Sequence, residues 1–84
     1  MTTPHATAYI DHLTRERRPP NTIAAARRVL RSLPDADTAT REDVEAWWAS
    51  RAHLSPATRS NDLAILRTFY AWCRRWEHRD DDPT

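Results

Sequence analysis

The chain has 84 residues and a formal net charge of +1, with thirteen Arg, no Lys, one Cys and no Gly. That length suits one small domain, and a single Cys excludes an internal disulfide. The absence of Gly disfavours a Walker or dinucleotide phosphate loop, and no apolar run approaches the roughly 18 residues of a membrane span.

Pro4 suits the first position of a helix capped by Thr3. Tyr9, Ile10 and Leu13 give this helix one apolar face through about Arg17, and Arg15, Arg17 and Arg18 suit the negative end of its dipole. His5 and His12 are seven residues apart, and two His alone make a poor metal site. His5, Asp11 and His12 also interrupt any signal-peptide pattern, so the cytoplasm is the expected compartment.

Pro19-Pro20 ends the first helix and opens the second. Ile23, Ala26, Leu30 and Leu33 form its apolar stripe, with Val29 beside it. Asn21, Ala25, Arg28 and Ser32 lie opposite, while Arg27 and Arg31 flank the stripe. Asn21 and Thr22 sit at the helix mouth, where free N–H groups suit a phosphate. The same Arg stems also suit a surface helix covering the edge of a core.

Residues 34–37 read as a turn. Thr40 caps a third helix, with Asp43 standing where a capping-box acid belongs. Val44, Trp47 and Trp48 supply its apolar contacts, and its acids mark it as scaffold. The fourth helix is the longest, with Ser55 as N-cap and Pro56 at its first position. Leu63, Leu66, Tyr70 and Cys73 recur at helical spacing, and Phe69 and Trp76 widen that stripe. Residues 77–84 read as a solvated exit linker, because the adjacent acids Asp80 to Asp82 do not converge on a divalent ion. No strand period appears, so the expected fold is an all-α, compact bundle of four main helices.

Twelve of the thirteen Arg residues fall into two blocks, 15–31 and 51–79, separated by the acids of 35–45. That arrangement is compatible with a nucleic-acid surface and equally with ordinary solvated faces. No catalytic set stands out. Cys73 lies in an apolar stripe, and Ser55 and Ser60 have no adjacent elbow motif, so an enzyme is not expected.

Five stretches in order carry a family resemblance. They are Tyr9-Ile10-Asp11-His12-Leu13; Pro20-Asn21-Thr22-Ile23 followed by Arg27-Arg28 and Leu30; Thr40-Arg41-Glu42-Asp43-Val44; Leu54-Ser55-Pro56-Ala57-Thr58-Arg59 with Leu63, Leu66-Arg67, Phe69-Tyr70 and Trp72; and Asp82-Pro83. Together they resemble the N-terminal core-binding (SAM-like) domain of tyrosine site-specific recombinases, including the phage integrases. The resemblance implies a core-binding domain over 1–79 and the start of a linker to a catalytic domain over 80–84. It implies binding of double-stranded DNA at a core attachment half-site, in a bacterial host cell and alongside other recombinase protomers.

Neither a membrane, a small-molecule ligand, a cofactor nor a metal is implied, and the family's catalytic Arg, Lys, His and Tyr belong to a domain outside these residues. On the second helix the resemblance points to Asn21, Thr22, Ala25, Arg28 and Arg31. On the fourth it points to Thr58, Arg59, Asn61, Asp62 and Ile65. Asn suits adenine, Arg suits guanine or phosphate, and Thr or Ala suits a thymine methyl. Asn61-Asp62 stands where the family often has basic residues, which lowers the charge expected there. The alternative is a helical protein-interaction module without DNA affinity, its Arg residues merely solvated.

Overall fold

The computed structural model describes residues 4–76 and 82–84. Four helices follow in order: α1 (Pro4–Arg15), α2 (Pro20–Arg31), α3 (Arg41–Ser50) and α4 (Pro56–Arg75). No strand occurs among the described residues. The core lies where α1, α2 and α4 meet, and α3 leans on it through Val44 and Trp47. No described helix is long and apolar enough to cross a membrane.

The fourth helix supplies the centre. Leu66, Phe69, Tyr70 and Cys73 are fully buried, and Tyr9 packs edge-on to Phe69 with ring centres 5.4 Å apart. Around them close Ile10 and Leu13 from α1, and Ala26, Val29 and Leu30 from α2. This is the stripe pattern that the apolar spacing dictates. Leu63 is only half-buried. Trp76, expected in the stripe, is 57% exposed. It is the C-cap residue of α4, so its ring lies at the rim, 6.5 Å from His12, where the helix has run past the core.

Local sequence explains three helix starts. Thr40 Oγ1 accepts from the Asp43 N–H and the Asp43 carboxylate accepts from the Thr40 N–H, closing a capping box. Ser55 Oγ accepts from the Thr58 N–H, with Pro56 at the first helical position. Pro19 occupies the N-cap of α2, where no side-chain cap bond forms. The start of α1 depends on a distant residue instead. The Asp37 carboxylate accepts from the N–H groups of His5 and Ala6, at 2.8 and 3.2 Å, and brings negative charge to the positive end of the dipole. The expected cap, Thr3, lies outside the described residues.

Without Gly, α1 ends on Arg17, whose φ of 56° is left-handed. The Arg18 N–H reaches the Leu13 carbonyl and the Arg17 N–H reaches that of Thr14, the bond pair of a Schellman motif. The 32–40 loop is bonded to the core at its start and its middle: Trp47 Nε1 donates to Ser32 Oγ and the Tyr70 hydroxyl donates to the Ala36 carbonyl, each at 2.7 Å. Of the expected linker, residues 77–81 lie outside the described residues. Pro83 is buried rather than solvated, and it lines a notch together with Val44, Trp48 and Leu63.

Candidate nucleic-acid interface

A shallow groove of about 410 Å³ runs between the first two turns of α2 and the middle of α4. Its rims come from Asn21, Thr22 and Ala25 on one side and from Asn61, Ala64, Ile65 and Thr68 on the other. The buried Tyr9, Leu13 and Ala26 also line it. The groove follows from the packing. Ala26, Val29 and Leu30 turn α2 into the core, and Leu66, Phe69 and Tyr70 do the same for α4. The residues beside those stripes then face each other, and Ala25 and Ala64 are too short to fill the gap. No lining residue carries a formal charge.

Five of the ten residues singled out in the sequence therefore line one surface: Asn21, Thr22, Ala25, Asn61 and Ile65. Ala64 and Thr68 also line it and were not singled out. They stand three and seven residues after Asn61, so the helical period was the signal that could have found them. Arg31 is exposed on α2, turned roughly 120° around the helix from Ala25. Thr58 is exposed in the first turn of α4, its hydroxyl bonded to that of the N-cap Ser55.

The remaining three belong to a different structure. Asp62, expected to face DNA, has a fully buried side chain. A carboxylate can be buried only with partners, and two guanidinium groups supply them. Arg28 grips it with two parallel bonds, Nη1 to Oδ2 at 3.2 Å and Nη2 to Oδ1 at 3.0 Å, and Arg51 Nη2 donates to the same Oδ2. The hydrogen bond from Arg28 is the main reason the Asp62 carboxyl lies below the usual carboxylate range, while burial opposes it. The same bond raises Arg28 above the ordinary Arg value.

Arg28 keeps about half its side chain in solvent, whereas Arg51 is 14% exposed, its guanidinium lying 5.1 Å from the centre of the Trp47 ring. Arg59, also expected on DNA, lies 4.0 Å over the Trp48 ring and donates to the Trp48 carbonyl at 2.9 Å. It thus satisfies a carbonyl in the last turn of α3. The carboxylate expected to weaken the charge of α4 is neutralised inside the fold by Arg28 and Arg51, and Arg59, expected to reach outward, is held by Trp48.

Nothing in the groove resembles a reaction centre. Among the described residues no three His, Cys, Asp or Glu side chains gather, and the Cys73 thiol is buried in the core. The arrangement offers two amides, two threonine hydroxyls and several methyl groups on an accessible concave surface.

No protein-family model, curated protein or solved structure matches the chain.

Proposed function

We propose that this chain binds duplex DNA as the SAM-like core-binding domain of a tyrosine recombinase of the phage-integrase type. In this reading it holds a core attachment half-site through α2 and α4, so that a separate catalytic domain can cut and rejoin the strands. The domain performs no chemistry itself and acts by positioning.

One observation carries the reading. Residues 21–25 and 61–65 are some forty positions apart in sequence, yet Asn21, Thr22, Ala25, Asn61 and Ile65 line the same open groove. These residue types suit base edges. Exposed Arg27, Arg31, Arg67, Arg74 and Arg75 make no ion pair with a carboxylate among the described residues, which leaves cations for the phosphates that dominate affinity.

Fluorescence anisotropy of a labelled duplex at about 50 and 200 mM salt tests this. Binding should weaken steeply over that range, with a logarithmic slope of about −0.9 for each phosphate contact. No binding at the lower salt contradicts the proposal. The exposed Trp76, with His12 and Trp72 beside it, favours a second reading as a protein-interaction module. A defined oligomer by sedimentation, together with absence of DNA binding, would select that reading.

A further inference from the structure

We infer that the α2/α4 groove selects A·T over G·C base pairs, through the amides of Asn21 and Asn61 and the methyl groups of Thr22, Ala25 and Ile65. The inference rests on the DNA-binding reading and deepens it.

In the major groove, guanine presents O6 and N7 acceptors, which Arg or Lys reads, and cytosine presents an N4 donor, which Asp or Glu reads. The groove contains neither type of side chain. Arg27, Arg31 and Arg67 are exposed on the same helices but do not line the groove, while Arg28, Arg59 and Asp62 are committed elsewhere. Both terminal nitrogens of Arg28 are bonded to Asp62, Arg59 is stacked on Trp48, and the Asp62 carboxylate is buried between Arg28 and Arg51.

The groups that remain match the other base pair. An Asn amide donates and accepts side by side, the complement of adenine N6 and N7. Asn21 and Asn61 stand exposed on facing rims. Between them, Thr22, Ala25 and Ile65 offer methyl groups, which suit the C5-methyl of thymine and gain nothing from cytosine.

The test is competition anisotropy with the 84-residue chain, using duplexes of equal length and charge that differ in base composition. Three modified forms complete the set: deoxyuridine for thymidine, which removes only the methyl; 7-deazaadenine for adenine, which removes only the N7 acceptor; and the Asn61→Ala variant of the protein. A·T-rich duplex should compete at least about tenfold better than G·C-rich duplex, the scale of one good bidentate contact. Each base modification, and Asn61→Ala, should reduce that margin.

Equal competition by both duplexes, or better competition by G·C, would overturn the selection while leaving duplex binding intact. A·T preference that survives all three changes reports DNA shape rather than this groove and also overturns it. Failure to bind any duplex would remove the DNA-binding reading and this inference together.

Discussion

Asn61 and Asp62 are neighbours in sequence with opposite surroundings. Asn61 stands exposed on the rim of an uncharged groove, while the Asp62 side chain is fully buried beneath two guanidinium groups. The same two helices, α2 and α4, form both regions. On one side the polar groups are neutral and open to a ligand. On the other they are charged and serve the fold, bonding α2 to α4 and, through Arg51 and Arg59, fastening the end of α3 to α4. The contrast shows that Arg content by itself does not mark the binding face. Arg28 and Arg59, on the two helices that form the groove, are held by Asp62 and Trp48 instead.

The contrast can be broken most severely at Asp62. Asp62→Ala leaves the mostly buried Arg51 without its counter-charge, and should destabilise the fold by about 3–5 kcal/mol in urea unfolding. A change within about 0.5 kcal/mol would mean that the network contributes nothing to stability. Acid titration probes the same group more gently. Its folded pKa is lowered, so its stabilisation is complete above the unfolded value near 4, and is lost as pH falls below that value through the folded pKa. Asp62→Asn should remove this part of the acid limb. A pair of unfolding curves that run parallel from pH 5 to pH 2 would contradict the assignment.

Asp37 sharpens the comparison, since it is the other buried acid among the described residues and it too works inside the fold. Asp37→Ala uncaps α1 and should cost about 1–2 kcal/mol, read from the same unfolding curves. DNA affinity, measured where both proteins are folded, should not change. The smallest effect on stability is expected on the groove side. Asn61→Ala should shift stability by no more than about 0.5 kcal/mol, yet weaken DNA binding. A large loss of stability there would place Asn61 with the network rather than with the interface.

The parts of this fold that were legible in the sequence are local. Thr40 with Asp43, Ser55 with Pro56, and the stripes of α2 and α4 are each written within one or two helical turns, where the helical period brings their partners together. The parts that were not legible join distant residues. Arg28 and Asp62 are 34 positions apart, and His5 and Asp37 are 32 apart. Neither pairing has a period to reveal it, so Asp37 read as a turn residue and Asp62 as a surface acid. Trp76 followed the stripe in sequence but lies where the core has ended, which spacing along one helix does not report. The candidate site divides in the same way. Helical period aligned Asn21 with Ala25 and Asn61 with Ile65, whereas the capture of Arg28 depended on α2 meeting α4 and that of Arg59 on α3 meeting α4.

Groove binding is tested by titrating the isotopically labelled chain with duplex DNA at about 50 mM salt and following its amide chemical shifts. Shifts should concentrate at Asn21, Thr22, Ala25, Asn61, Ala64, Ile65 and Thr68, including the side-chain amides of both Asn residues. Trp47 and Trp48, which lie under Arg51 and Arg59, should stay unmoved. Shifts centred on His12, Trp72 and Trp76, or none at saturating DNA, would contradict the claim that the uncharged α2/α4 groove is the face that meets DNA.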